Sequence, residues 1–166
     1  VVTFTGNSAD GQSSDGGGAV VRLNDASPIL ISRCVFTGND AGRLGGAAYV
    51  LGDTFTISDC TVTANLAGTE GGGLKVSGVQ SGLLAGSTIT GNHAGARGGG
   101  IGGDGSLAIS RCIVTDNTAG AEGGGIWRST ALLPFSLADC MLARNSAPSG
   151  GGLFLMGKAV LEIHHK

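Results

Sequence analysis

Apolar and polar residues alternate in three short runs that recur along the chain. One run ends at an asparagine, and the third position before that asparagine is always apolar: Phe4, Phe36, Val62, Ile89, Val114 and Leu142. A second run precedes it, as in Ile29 and Ile31, and a third follows a Gly-Gly pair, as in Leu74-Lys75-Val76. Alternation with a period of two predicts β-strands. Each unit is therefore predicted to contain three strands joined by three turns.

Two sequence markers keep the same period over the chain. The asparagine recurs at intervals of 32, 26, 27, 25 and 28 residues, at Asn7, Asn39, Asn65, Asn92, Asn117 and Asn145. A Gly-Gly pair ends at Gly18, Gly46, Gly73, Gly100, Gly125 and Gly152. A repeat of roughly 20–50 residues is typical of solenoids. We predict an all-β parallel β-helix of about six coils, each of roughly 25–32 residues, that occupies residues 1–166 as one segment.

Composition and charge narrow the functional classes. Gly accounts for 33 of the 166 residues and Pro for only 3, which places the glycines in turns and excludes a Pro-rich linker. The formal net charge is −2, so the chain lacks a basic stripe for nucleic acid. No apolar run approaches the roughly 18 residues that a membrane helix requires. Neither a nucleic-acid partner nor a membrane span is predicted.

Both ends of the chain have the pattern of core strands. The first unit opens with Val1-Val2-Thr3-Phe4, and the last closes with Val160-Leu161-Glu162-Ile163. Terminal layers of a solenoid need a cap, because a bare layer exposes apolar surface and strand edges. We expect this segment to be a fragment of a longer array. More coil or neighbouring subunits would then bury Phe4 and Ile163.

The asparagine column has a structural interpretation. A buried turn leaves backbone groups unpaired, and an asparagine can bond its own turn while its amide bonds the asparagine of the next layer. An alanine follows two residues later in each unit, which indicates a tight inward corner. We therefore predict a buried structural ladder and not an exposed sugar-binding one.

The four cysteines occupy one column, five residues before the asparagine: Cys34, Cys60, Cys112 and Cys140. Stacked layers lie about 4.8 Å apart, within the Cα range of a disulfide, but parallel side chains hold the sulfurs' carbons somewhat too far apart. Buried thiols are the first interpretation, and disulfides between Cys34 and Cys60 or Cys112 and Cys140 remain open. No Cys-x-x-Cys or histidine cluster accompanies them, so no metal site and no cofactor are predicted.

Sugar-acting enzymes need carboxylates that converge on one face. Only Glu70 and Glu122 share a register, just before a Gly-Gly pair, and two units separate them by about 10 Å. The sequence shows no nucleophile or base between them. We therefore predict no catalytic residues.

Two further surface features are candidate contacts. Threonines are predicted to line one outward strand face, which would suit ordered water on an ice surface or merely reflect strand propensity: Thr3, Thr5, Thr37, Thr61, Thr63, Thr88, Thr90 and Thr115. An insertion at residues 128–134 carries Leu132 and Leu133 beside Trp127. These three residues are candidates for a lateral contact or for a local cover over the coil.

The repeat resembles a known family. Phe4 to Asn7 and Phe36 to Asn39 form F-x-x-N, and Gly45-Gly46-Ala47 forms G-G-A. This pairing is similar to the repeats of polymorphic outer membrane proteins and related pectin-lyase-like β-helix proteins. The resemblance implies a right-handed parallel β-helix over nearly the whole chain and, for the outer membrane family, surface adhesion.

The functional expectation is a non-catalytic structural or adhesive scaffold in a larger surface, extracellular or filamentous assembly. Its expected partners are further coil or neighbouring protein subunits, with carbohydrate as another candidate. Two alternatives remain open: a polysaccharide lyase or hydrolase whose site lies outside this segment, and an ice-binding protein that uses the threonine face. Fold alone does not choose among them.

Overall fold

The computed structural model describes residues 1–10, 18–19, 28–52, 54–129, 133–157 and 161–164. Within these ranges the chain is all-β, and its strands, numbered here in chain order, stack as a parallel solenoid of about five turns. The predicted fold class is confirmed. Each strand pairs with the equivalent strand of the next turn, so the repeat period of the sequence becomes the step from layer to layer.

The first sheet is formed by the run that precedes each asparagine. Its six strands, in spatial order, are β1 (Val2–Thr5), β4 (Cys34–Thr37), β8 (Thr61–Thr63), β11 (Thr88–Thr90), β14 (Ile113–Thr115) and β18 (Met141–Ala143). Phe36, Val62, Ile89 and Val114 point inward and are buried, whereas Leu142 is half-buried in the last strand. The rings of Phe4 and Phe36 stack with centroids 4.9 Å apart.

The second sheet combines the other two predicted runs. Its strands are β3 (Ile29–Ser32), β6 (Ala48–Leu51), β7 (Thr54–Ser58), β10 (Leu74–Ala85), β13 (Ile101–Ser110), β16 (Ile126–Arg128), β17 (Phe135–Ala138), β19 (Leu153–Leu155) and β20 (Leu161–His164). In the middle layers the two runs join, so that β10 pairs with both β6 and β7. The runs are therefore parts of one sheet.

A third sheet follows the asparagine, where the sequence indicated only a corner. Its two-residue strands are β2 (Ser8–Ala9), β5 (Asp40–Ala41), β9 (Leu66–Ala67), β12 (His93–Ala94) and β15 (Thr118–Ala119). The alanine of each strand points inward, and Ala41, Ala67 and Ala94 are fully buried. Only a small side chain fits this narrow side of the coil. The three sheets thus differ from the three predicted strands in their boundaries.

A residue with positive φ occurs at three corners of each turn, one of which is the first glycine of the Gly-Gly-Gly turn (Gly71 and Gly98, for example). At the other two corners this residue precedes the asparagine (Ala64, for example) and the cysteine column (Asp59 and Gly86). The left-handed conformation turns the chain sharply and interrupts the strand ladder. A side chain that points inward at the next position replaces the lost backbone hydrogen bonds.

Gly82 lies in a column that otherwise holds large apolar residues. In the register it lies between Phe55 and Leu107. A Cβ at Gly82 would lie 2.5 Å from the Phe55 ring, so that ring occupies the space which the glycine leaves. Leu84, on the same strand, is fully buried. The missing side chain at Gly82 is thus compensated by the Phe55 ring of the neighbouring layer.

Candidate functional site

The six asparagines form a continuous internal ladder. The backbone N–H of each asparagine donates to Oδ1 of the next one, at 3.0 Å in all five steps. Each Nδ2 donates to the same Oδ1, at 2.8–3.0 Å. The second Nδ2 hydrogen is used as well, since Asn65 donates to the carbonyl of Phe36 and Asn92 to that of Val62. The buried amides of the ladder are therefore saturated and hold no group ready for a ligand.

The cysteine column forms a second ladder at the other corner. Cys34, Cys60, Cys112 and Cys140 are free thiols in this structure. The thiol of Cys60 donates to the carbonyl of Ser58, and its sulfur accepts from the backbone N–H of Cys34 at 3.5 Å. Ser87 takes the same place in its layer, where its hydroxyl donates to Ala85 and accepts from the N–H of Cys60 at 3.1 Å. The side chains of this column therefore satisfy backbone N–H and carbonyl groups at the corner.

Burial makes two of these thiols poor nucleophiles. Removal from water raises the pKa of Cys112 to about 11, although the backbone N–H of Ser87 acts in the opposite direction. Desolvation also raises the pKa of Cys60. Since the thiolate is the reactive form, neither group is prepared for covalent catalysis at neutral pH.

The threonine face consists of two ranks on the outside of the first sheet. One rank is continuous over five layers: Thr5, Thr37, Thr63, Thr90 and Thr115. The other contains Thr3, Thr61 and Thr88 but is interrupted by Val35, Ile113 and Met141. The flat face is thus mixed, with 56% of Met141 exposed beside the threonines.

Thr115 departs from the expectation that this rank faces solvent. It keeps the outward register, but only 6% of the residue is exposed. Its hydroxyl lies 3.1 Å from that of Thr90 and also bonds the Asp116 carboxylate, which Arg144 holds with contacts of 2.7 and 2.8 Å. The Arg144 guanidinium keeps the pKa of Asp116 below its usual range. Thr115 is engaged by its neighbours and does not extend the open rank.

A cluster of charged and aromatic side chains lies outside the second sheet, and the sequence did not reveal it. Its members, here called the Glu70 cluster, are Glu70, Lys75, Arg97, Glu122 and Trp127. Glu70 contacts Lys75 at 2.7 Å and Arg97 at 3.3 Å, and Arg97 contacts Glu122 at 3.1 Å. The indole of Trp127 donates to Glu122 at 2.9 Å. Two carboxylates and two cations give the cluster no net charge.

The stacking of the Gly-Gly-Gly turns brings these groups together. Glu70, Arg97 and Glu122 each precede such a turn and form successive bridges. Lys75, Gly102 and Trp127 stack in a neighbouring column. Gly102 has no side chain, so Lys75 Nζ and the Arg97 guanidinium reach the Trp127 ring, 5.5 and 5.2 Å from its centroid. Cations at such distances are attracted to the face of an indole.

This cluster corrects one expectation, about the interval between the two acids, and bears on a second, about Trp127. The interval between Glu70 and Glu122 is occupied by Arg97, which shares their register before three glycines and could have been recognised from the sequence. Trp127 was a candidate for lateral contact, but it is only 4% exposed and packs beneath the two cations. This burial favours the second alternative, a local cover over the coil. Leu133 is exposed, and Leu132 lies outside the described residues.

The described residues contain no group of three or more His, Cys, Asp or Glu side chains arranged to hold a metal ion. In the same ranges, no helix is long and apolar enough to cross a membrane. His93 Nδ1 lies 2.8 Å from the Thr118 hydroxyl on the exposed side of the third sheet.

Comparison with known proteins agrees with the stacked geometry. The family model described as the right-handed beta helix region matches residues 1–165. The chain belongs to the right-handed β-helix family. No curated protein and no solved structure matched the chain. Membership establishes the handedness of the coil, and this family includes both enzymes and non-enzymes.

Proposed function

We propose that this right-handed β-helix is a non-catalytic structural or adhesive scaffold within a larger surface, extracellular or filamentous assembly. The observation that carries the proposal is that Glu70 and Glu122, the two acids that share a register, are both bound by neighbouring side chains. Glu70 is held by Lys75 and Arg97, and Glu122 by Arg97 and Trp127. General acid or base catalysis needs a carboxyl group that can reach the substrate's proton. These carboxylates instead tie neighbouring layers together.

The proposed partner is protein, either further coil or neighbouring subunits. Ile113 and Met141 are exposed side by side on the flat outer face of the first sheet. Apolar side chains on such a face are suited to a contact with another protein surface. The F-x-x-N and G-G-A repeats, which resemble those of polymorphic outer membrane proteins, support a surface location. A surface location would also make carbohydrate a candidate partner.

Catalysis is tested directly with a panel of acidic and neutral polysaccharides. Formation of unsaturated products and of new reducing ends would be followed for the wild type and for the Glu70→Gln/Glu122→Gln double variant. The proposal expects no product from either protein. Product formed by the wild type and lost in the double variant would show that the paired acids are catalytic and would overturn the scaffold assignment.

Ice binding is a second candidate because one threonine rank is continuous over five layers. The interrupted rank beside it and the engaged hydroxyl of Thr115 weaken the match to a regular lattice. Thermal hysteresis measured for the wild type and for Thr63→Lys, at the centre of the continuous rank, tests this function. Hysteresis in the wild type that the substitution abolishes would support it.

A further inference from the structure

The cysteine column divides into two pairs of neighbouring layers. The residues that follow Cys34 and Cys60 are register partners in the first sheet. The same holds for the residues that follow Cys112 and Cys140. Ser87 occupies the layer between Cys60 and Cys112. Each of the four cysteines therefore has a single cysteine neighbour in the stack, and the serine separates one pair from the other.

The backbone of each pair has a spacing that a disulfide can span. Adjacent strands lie about 4.7–4.9 Å apart, and disulfides join Cα atoms about 4.4–6.8 Å apart. The Cys60 sulfur lies 3.5 Å from the backbone nitrogen of Cys34, in the neighbouring layer. The Cys140 sulfur lies 3.5 Å from the carbonyl oxygen of Ile109, in the layer of Cys112. One sulfur of each pair thus already projects toward the layer of its partner.

The corner that carries the cysteines can adjust to a bond between layers. Stacked Cβ atoms would have to approach by roughly 0.3–1 Å, because a disulfide holds them about 3.5–4.5 Å apart. Each cysteine follows a residue with φ of 52–54°, where the strand ladder is interrupted. The N–H of Cys34 donates to the Cys60 sulfur, and that of Cys60 donates to the Ser87 hydroxyl. At the cysteine nitrogens, side-chain contacts and not a backbone ladder therefore set the distance between layers.

We propose that Cys34 with Cys60 and Cys112 with Cys140 form two disulfides between neighbouring layers when the chain folds in the presence of a small-molecule disulfide. One thiolate of a pair attacks a sulfur of this oxidant and releases one thiolate from it. The second cysteine loses its proton to water, attacks the mixed disulfide and releases the other thiolate. Each pair is oxidised by two electrons, and the oxidant is reduced to two thiols that take up the two protons.

Oxidation during folding avoids the burial of the thiols. Cys60 and Cys112 are only 2% and 1% exposed in the folded protein, whereas an unfolded chain presents all four thiols to the oxidant. A disulfide between positions one repeat apart stabilises the coil by restricting the unfolded chain. Two pairs of layers are then joined covalently, and Ser87 leaves the layer between them without a bridge. The pairing is a property of the coil, so it does not depend on the scaffold function proposed above.

Refolding of the whole chain from denaturant tests the pairing. One sample is refolded in a mixture of oxidised and reduced glutathione and the other in reduced glutathione alone. Alkylation of the unfolded products, followed by mass measurement, should find no free thiol in the first sample and four in the second. Trypsin places each cysteine on a separate peptide, because an Arg or Lys lies between any two of them. Four free thiols, glutathione adducts or any other pairing in the oxidised protein would overturn the proposal.

Serine variants give the matched control, because the Ser87 hydroxyl already satisfies the same corner in its own layer. Cys60→Ser and Cys140→Ser should each keep the other disulfide and one free thiol. Oxidation should raise the wild-type Tm by roughly 5–20 °C and that of each single variant by less. The Cys60→Ser/Cys140→Ser double variant should show no rise. A wild-type Tm that does not rise, or an equal rise in the double variant, would contradict the two bridges.

Discussion

Asn65 illustrates, at the scale of one residue, why a polar side chain stands in the middle of an apolar coil. Ala64 before it has φ of 54°, which bends the chain and separates the backbone groups of adjacent strands. Oδ1 of Asn65 then accepts two hydrogen bonds from Asn39, and Nδ2 donates to Phe36 and Asn92. An apolar residue of similar size would leave these buried groups unpaired, at about 1–3 kcal/mol each.

Asn65→Asp should destabilise the protein by roughly 2–5 kcal/mol at pH 7 because a carboxylate oxygen would face the acceptors Phe36 O and Asn92 Oδ1. Urea unfolding at pH 7 and pH 4.5 measures the effect. Burial among acceptors raises the folded pKa of the new carboxyl, so part of the stability should return as the pH falls and the group is protonated. Asn7→Asp, at an exposed position of the ladder, should cost less. Equal losses at the two positions would contradict this account.

Cys112 supplies a prediction about alkaline pH. Its pKa is about 11 in the folded protein, compared with a reference value of 9.0. The neutral thiol is therefore favoured by folding, and this contribution is complete below pH 9 and is lost as the pH rises toward 11. The loss should be on the order of 2 kcal/mol between pH 7 and pH 10.5.

Cys112→Ser is the matched variant, because Ser87 already fills the same corner in the preceding layer. The variant should retain the ladder and lose less stability between the two pH values than the wild type does. Urea unfolding of both proteins at pH 7 and pH 10.5 gives the comparison. An identical pH dependence would show that the Cys112 thiol is not the responsible group.

Volume is shared between adjacent layers at the scale of the strands. Gly82 in β10 receives the ring of Phe55 from β7, and Gly102 in β13 leaves space between Lys75 and Trp127. A glycine inside a strand normally weakens it. In these columns it admits a large side chain of a neighbouring layer, so the strand cannot be judged without its partners.

The repeat pattern and the structure make opposite predictions for the substitution Gly82→Leu. The repeat pattern suggests that an apolar residue in this column should improve the layer. The structure predicts a loss of roughly 1–3 kcal/mol, because the new side chain collides with the Phe55 ring. Denaturant unfolding measures the change, and the Phe55→Ala/Gly82→Leu double variant should recover stability relative to Phe55→Ala. Additive losses would rule out the exchange of volume.

The whole molecule is held by contacts between successive layers, as expected for a solenoid. The inner ladders and the Glu70 cluster connect layer to layer, and their polar groups are paired within the coil. The exposed apolar side chains on the outer faces are the groups that are available for contacts with other molecules. Ile113 and Met141 form one such patch, and Leu83 is exposed on the second sheet.

Light scattering of the chain at increasing concentration should show a mass above that of a monomer, because Ile113 and Met141 present apolar surface on the outer face of the first sheet. Ile113→Lys/Met141→Lys should reduce the association if the first sheet forms the contact. Leu83→Lys removes an apolar side chain from a different face and should have less effect. A mass equal to that of a monomer at every concentration would contradict a contact through this face.

The sequence by itself determined the repeat, the inward apolar columns and the asparagine corner, because each depends on local periodicity that one layer can express. The repeat also places Arg97 at the position equivalent to Glu70 and Glu122. The ion pairs of Arg97 with these two acids became visible only in the stacked turns. Tertiary structure decided the features that join different layers: the Phe55 ring over Gly82 and the burial of Trp127 beneath two cations. Side-chain reach across the stack sets these contacts, and spacing along the chain does not encode that reach.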